Sequence, residues 1–333
     1  MNADEFYMGR AIELARHGLG YTSPNPMVGC VIVADKRIIG QGWHRCCGEG
    51  HAEVNAVASV DAGCRHLLRG ATVYVTLEPC SHYGKTPPCA RLLVDSGVGR
   101  VVIGSMDPFE KVSGRGVAML LEAGIEVCTG VLEKECRAIN PVFMLAHEHM
   151  RPWITLKWAQ SSDGFIDKVR GCGEKAALFS TELTSMLVHR LRSLHDAILV
   201  GSRTLVADSP RLDVRLWHGR NPRRYVADRT GVAGLPGGFE VLGRDGCGTV
   251  AEYVSGLYGS GITSVLVEGG TALLQSFVDA GLYDMVRVET APFSLGCGVK
   301  APVFDAAPSA STVIDGRRID YYGKLPWYVR TEV

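Results

Sequence analysis

Polar and apolar positions in residues 4–17 repeat with helical spacing, placing Met8, Ile12 and Ala15 on one face, with Gly18 and Gly20 following as stops. The stretch Tyr21-Thr22-Ser23-Pro24-Asn25-Pro26 is a turn-rich loop whose prolines hold the residues before them extended. Residues 28–34 and 37–43 read as two strands joined at Asp35-Lys36, a hairpin. A helix over 51–60 follows, then an apolar run over 71–77 that suits a buried strand ending at Glu78-Pro79-Cys80. Beyond Cys89 the pattern gives a short helix, a strand over 100–104, a helix over 117–123 and a strand over 125–129. Strands alternating with helices imply an α/β layered sheet with crossover helices.

Residues 132–149 read as a connecting helix interrupted at Asn140-Pro141. A new strand pattern opens at 151–157, a second lies at 196–201 and a third at 264–267. The third feeds Glu268-Gly269-Gly270 and then a helix over 271–281. This divides the chain into an N-terminal domain, 1–147, and a C-terminal domain, 148–333, with no internal repeat and no low-complexity tract. At 333 residues there is enough chain for two cores.

Charge narrows the classes of partner. Lys+Arg and Asp+Glu both number 35, so no net positive field exists to hold a polyanion, and no nucleic acid is expected. No apolar run approaches the roughly 20 residues that span a bilayer, so no membrane is expected either. The acidic start, Met1-Asn2-Ala3-Asp4-Glu5, is unlike a signal peptide. Eleven cysteines form an odd set without a framework of spacings, which fits thiols in a reducing compartment, the cytoplasm.

The chemistry concentrates at His51-Ala52-Glu53, answered by Cys80 and Cys89. One imidazole and two thiolates suit Zn²⁺ in a catalytic site whose fourth position is left to water. Glu53, two residues after the histidine, can serve that water as general acid and base without ligating the metal. It could also simply complement a helix dipole. The cysteines are eight residues apart, wider than the two usual in base deaminases. Cys46 and Cys47 lack a partner at ligand spacing and read as bystanders. Asn25, His44 and Lys85 singly read as a loop cap, a strand-end polar group and a solvated lysine.

Together these segments resemble the bifunctional riboflavin-biosynthesis deaminase/reductase family. The motifs are Pro24-Asn25-Pro26-Met27-Val28-Gly29, His44, His51-Ala52-Glu53 and the segment from Glu78-Pro79-Cys80 to Cys89, followed by Asp107-Pro108 and Gly114-Arg115-Gly116. In the second half they are Lys157-Trp158-Ala159-Gln160-Ser161-Ser162-Asp163-Gly164, Asp196 to Gly201, Ala207-Asp208-Ser209-Pro210-Arg211-Leu212 and Val267-Glu268-Gly269-Gly270. The match runs over nearly the whole chain, and within it the wide cysteine spacing is the rule.

The resemblance implies a cytidine-deaminase-like three-layer α/β/α domain followed by a dihydrofolate-reductase-like α/β domain. The first would deaminate a diamino-pyrimidinone ribosyl phosphate, with His51, Cys80 and Cys89 holding Zn²⁺, Glu53 catalytic, and Asn25, His44 and Lys85 on the substrate. The second would use NADPH to reduce the ribosyl group to ribityl. Ala159, Thr204, Asp208 and the turn Gly269-Gly270-Thr271-Ala272-Leu273 would face the cofactor, and Arg192, Leu212, Arg215 and Glu268 the substrate. Glycines let a backbone approach a pyrophosphate at a helix start, although no glycine-rich dinucleotide fingerprint is present. The expected partners are thus a small phosphorylated pyrimidine and further copies of the chain, in a dimer or tetramer. Two departures bear on the second domain. The family's Ser-x-Trp-Ile-Thr stretch is replaced within 171–180, and Thr271-Ala272 stands where Pro-Thr is usual. Two rival readings remain: a nucleoside or tRNA deaminase with a non-catalytic C-terminal domain, and a structural zinc module, for which a fourth protein ligand would be the norm.

Overall fold

The computed structural model describes residues 2–82, 87–109, 113–171, 174–232, 235, 237–243 and 248–330. The chain divides into two compact units, Met1–His149 and Met150–Val333.

In the first unit, α1 (Ala3–Arg16) starts from a reciprocal cap: Asn2 accepts from the Glu5 N–H and Glu5 from the Asn2 N–H, both at 2.9 Å. The hairpin of β1 (Gly29–Ala34) and β2 (Arg37–Trp43) turns through Asp35 and Lys36, both with positive φ. Then come α2 (Ala52–Ala58), a 3-10 turn (Ala62–Leu68) that the sequence pattern did not reveal, and β3 (Thr72–Leu77). After α3 (Cys89–Asp95) follow β4 (Arg100–Ser105), α4 (Arg115–Glu122) and β5 (Glu126–Thr129). The connecting helix is two helices, α5 (Glu133–Ile139) and α6 (Pro141–His149), broken at Asn140 as expected from Pro141.

The sheet order is β2-β1-β3-β4-β5, with β1 antiparallel to both its neighbours and β3, β4 and β5 parallel. Cys30, Ile32, Val73, Val75 and Ile103 bury one face against Ala52 and Ala56 of α2, Leu93 of α3 and Leu120 of α4. The opposite face takes α1 so closely that a Cβ on Gly29 would stand 1.9 Å from the Ala11 carbonyl oxygen. This is an α/β/α sandwich. Buried Asn140 ties the far end of the unit to the loop before β1, accepting from the Met27 N–H at 2.8 Å and donating to its carbonyl at 2.7 Å.

The second unit comprises β6 (Trp153–Gln160), β7 (Phe165–Asp167), α7 (Glu182–Ser193), β8 (Ala197–Gly201) and α8 (Ser202–Asp208). Next are β9 (Arg223–Ala227), β10 (Glu240–Leu242), α9 (Val250–Gly259), β11 (Ser264–Gly269) and α10 (Thr271–Asp279). It closes with β12 (Met285–Thr290), β13 (Val299–Lys300), β14 (Ala310–Ile314), β15 (Arg317–Gly323) and α11 (Trp327–Arg330). Eight strands form one sheet, β10-β9-β8-β11-β6-β12-β15-β14, parallel as far as β12 and antiparallel beyond. The three strands expected from sequence, β8, β11 and β6, are neighbours at its centre. Their continuous burial is why they read as apolar runs.

Candidate active sites

Three junctions meet at one edge of the first unit's core. The chain leaving β2 reaches His51, the residue that starts α2; β3 ends into Cys80; and Cys89 is the first residue of α3. His51 Nδ1 lies 3.6 Å from Cys80 Sγ and 3.3 Å from Cys89 Sγ, and the three donor atoms all fall within 4.8 Å of one another. Zn–N of about 2.0–2.1 Å and Zn–S of about 2.3 Å in a tetrahedron separate N from S by roughly 3.5 Å. The donor set therefore fits Zn²⁺ in both chemistry and spacing. Among the described residues it is the one such cluster of His, Cys, Asp or Glu.

A hydrogen bond from Cys89 holds Cys80 far below the usual thiol range, with His51 and the Cys89 N–H, 3.3 Å away, adding to it. Cys89 is pushed up in return by its hydrogen bond to Cys80 and by burial. Glu53 is 3% exposed. Burial, and then the negative charge on Cys80, push its carboxyl up to about 7. That environment favours a group that takes and returns a proton near neutrality.

His44 and Asn25 complete this wall. His44 is buried, stands edge-on to His51 with ring centroids 5.4 Å apart, and is kept neutral by burial. Its Nδ1 is 3.2 Å from the Gly50 carbonyl and its Nε2 is 3.4 Å from Asn25 Nδ2, an arrangement that the Nδ1–H tautomer satisfies. Asn55 Nδ2 donates to the carbonyls of Trp43 and Gly50, holding the segment that presents both histidines. Lys85 lies outside the described residues. Cys47 approaches Asn25 Nδ2 at 3.8 Å, and neither it nor Cys46 joins the cluster.

Sequence reasoning missed Glu78. Its buried carboxylate accepts from the N–H groups of Gly114 and Gly116 at 3.0 Å and of Val117 at 3.3 Å, fastening the start of α4 two residues before Cys80. A Cβ on Gly116 would stand 2.1 Å from the Pro79 carbonyl, so only glycine allows that approach. The signal was a carboxylate directly after a buried strand.

The second unit carries a cleft of about 940 Å³. Ala159, Thr204, Asp208 and the whole turn Gly269-Gly270-Thr271-Ala272-Leu273 line it, together with Glu268. The glycines are needed here: a Cβ on Gly270, where φ is 68°, would lie 2.9 Å from Thr204 Oγ1. Asp208 is bound by Arg170 at 2.7 Å. In the divergent 171–180 stretch, Phe179 lines the cleft and stacks on Phe293 with ring centroids 5.9 Å apart; Cys172 and Gly173 lie outside the described residues.

Arg192 and Arg215 do not form a free pair of guanidinium groups. Arg192 grips Glu268 through two bonds of 2.7 Å and donates to the Asp213 carbonyl, while Arg215 pairs with the Asp213 carboxylate. Burial alone would raise Glu268, but Arg192 brings it down to about 2. Leu212 is 3% exposed and takes a positive φ of 52°, a strained position for leucine. None of Arg192, Leu212 and Arg215 is among the residues lining the cleft, and of the three only Arg192 is bound to Glu268, which does line it. Lys157 does line it, and burial lowers its ammonium. An ionisable residue inside the apolar run of β6 was the overlooked signal.

Comparison with known proteins bears on both units. Residues 1–105 match the family described as cytidine and deoxycytidylate deaminase zinc-binding region, and residues 152–315 match the RibD C-terminal domain. A riboflavin biosynthesis protein RibD of Actinobacillus pleuropneumoniae is 38% identical over 87% of this chain and 84% of its own. That of Bacillus amyloliquefaciens is 39% identical over 90% and 87%. Among solved structures, Acinetobacter baumannii RibD superposes with a TM-score of 0.84 at 33% identity, covering 96% of this chain and 98% of that one. A Thermotoga maritima diaminohydroxyphosphoribosylaminopyrimidine deaminase/5-amino-6-(5-phosphoribosylamino)uracil reductase gives 0.80 at 37%, with the same coverage.

Proposed function

The chain belongs to the RibD family of riboflavin-biosynthesis proteins, and on that premise we propose how its two units divide a deamination and a reduction. The chain is a bifunctional deaminase and reductase, which sets aside the single-activity and structural-zinc readings.

In the first unit His51, Cys80 and Cys89 would hold Zn²⁺, which lowers the pKa of a water to about 7 when bound. Glu53 takes one proton from the attacking water. A C–O bond forms at the ring carbon bearing the amino group, the C–N bond breaks, and Glu53 returns the proton to the departing nitrogen, which leaves as ammonia. Asn25 and neutral His44 orient the pyrimidine, and Lys85 meets the phosphate as a point charge. The observation that carries this is the Glu53 carboxyl, buried beside three donors at zinc spacing.

In the second unit the cleft would take NADPH, which supplies a hydride to the ribosyl carbon. Ala159, Thr204, Asp208 and residues 269–273 bind and orient it. As the C–H bond forms, the bond from that carbon to the ring oxygen breaks and the oxygen takes a proton. Lys157, beside Glu268 in the same cleft, stands where such a proton can be held. Arg192 keeps the Glu268 carboxylate fixed for the sugar hydroxyls.

Nine cysteines among the described residues are free, which supports a reducing, cytoplasmic setting. No described helix is long and apolar enough to cross a membrane. Edge strand β14, with Val313 70% exposed, offers a surface for self-association into a dimer or tetramer. A coupled assay of the intact chain on the diamino-pyrimidinone ribosyl phosphate tests the reading. Ammonia should appear first, and NADPH should be consumed only once deaminated substrate exists. Ammonia release from cytidine or a tRNA anticodon in preference to that phosphate would overturn it.

A further inference from the structure

Behind the reductase cleft lies a buried charged pair with no part in the assignments above. Lys157 of β6 stands opposite Arg287 of β12 in register, so both side chains leave the same face of the sheet, and Glu289 follows two residues later on that face. Arg287 is 1% exposed and Glu289 0%. Arg287 Nη1 lies 3.4 Å from Glu289 Oε2, and Thr184 Oγ1 of α7 donates to Glu289 Oε1 at 2.7 Å. Arg287 Nη2, fully buried, has no hydrogen-bond partner among the described residues.

Such a pair is poor value for stability alone, because apolar residues of the same volume usually serve a core as well or better. What distinguishes its place is the neighbour. The charged groups acting on Lys157 are Glu268 of β11, Arg287 and Glu289 of β12 and Arg192 of α7. Arg192 is bound to Glu268 and Arg287 faces Glu289, which leaves Lys157 as the odd cation among two balanced pairs.

Resting on the reductase reading of the cleft, we propose that Arg287 and Glu289 are positioning residues for the reduction, a buried pair that fixes where the Lys157 side chain stands and the charge it meets from behind. Arg287 repels the ammonium across the ladder while Glu289 attracts it, in keeping with burial and Arg287 lowering the Lys157 pKa and Glu268 and Glu289 raising it. Arg287 thereby turns the amine toward the cleft, and Thr184 keeps Glu289 from swinging away.

The test is competitive labelling of the intact chain with acetic anhydride across pH, read at Lys157 by mass spectrometry, beside NADPH oxidation with deaminated substrate. Glu289→Gln should lower the labelling midpoint and Arg287→Gln should raise it, with Arg287→Lys restoring the wild-type value. In both glutamine variants kcat for NADPH oxidation should fall about tenfold or more while NADPH affinity and ammonia release hold. Midpoints that move in the same direction, or not at all, overturn the proposal. Should a single variant fail to fold, the double variant Arg287→Gln/Glu289→Gln removes the pair without leaving a lone charge. Its kcat for NADPH oxidation should fall about tenfold or more while NADPH affinity and ammonia release hold, and a wild-type kcat is again fatal. A wild-type chain that consumes no NADPH sinks the reductase reading instead, while the labelling still decides whether the pair governs Lys157.

Discussion

At Glu53 the sequence admitted two roles, and burial favours the proposed proton shuttle. A carboxyl serving a helix dipole would be exposed and ionised, whereas this one is 3% exposed and pushed up to about 7. Glu53→Gln keeps the shape and loses the exchangeable proton, so ammonia release should fall by roughly 10²–10⁴ with zinc content unchanged. Metal analysis with an ammonia assay checks both halves, and normal turnover would remove the shuttle. Cys80→Ala takes away a ligand and should lose the zinc itself; full metal content in that variant refutes the ligand set. In the second unit, Arg192 holds Glu268 below its ordinary value of 4.5, at about 2. A depressed carboxyl contributes stability that is complete above pH about 4.5 and is lost as pH falls toward about 2. Arg192→Met should therefore destabilise the protein at neutral pH by about 3–5 kcal/mol and flatten that acid dependence. Urea unfolding at several pH values measures it, and an acid dependence equal to wild type would show the pair to be idle.

Elements were legible where a local period or a stop residue decided them. The pattern of Met8, Ile12 and Ala15 announced α1, Asp35-Lys36 announced the hairpin, and Pro141 announced the break between α5 and α6. The proposed zinc ligands were legible for the same reason, since each sits at the start of a helix or just after a strand that the pattern had already located. Long-range partners were not. Glu78 acquires its meaning from N–H groups 36 to 39 residues downstream, and Arg287 from a register with Lys157 that only the assembled sheet supplies. Of the second unit's strands β6, β8 and β11 appeared, while the inner strands β9, β12 and β15, the edge strands and α7 to α9 did not. Glu78 gives an element-level prediction. Glu78→Ala leaves the start of α4 without its acceptor and should cost about 1–3 kcal/mol, with Glu78→Gln costing less because its carbonyl still accepts. Denaturant unfolding that leaves the Ala variant at the wild-type midpoint would mean that α4 holds itself.

For the molecule as a whole, each unit owns a core and a site of different chemistry, the first built on soft metal donors and the second on a cleft of backbone turns and a buried carboxylate. Nothing in the second unit's cleft resembles a metal cluster among the described residues, so the two activities should respond differently to one treatment. A chelator strong enough to strip zinc would remove the group we propose His51, Cys80 and Cys89 share, and binding energy at such a site is also energy that holds the site together. Ammonia release should therefore vanish, and the first unit should unfold more easily. NADPH oxidation, supplied with substrate already deaminated, should continue at close to its former rate. Restoring Zn²⁺ should bring ammonia release back without changing the reductase rate. Loss of both activities on chelation, with both recovered on adding metal, would show that the reduction depends on the zinc site and would overturn the division of labour between the two units.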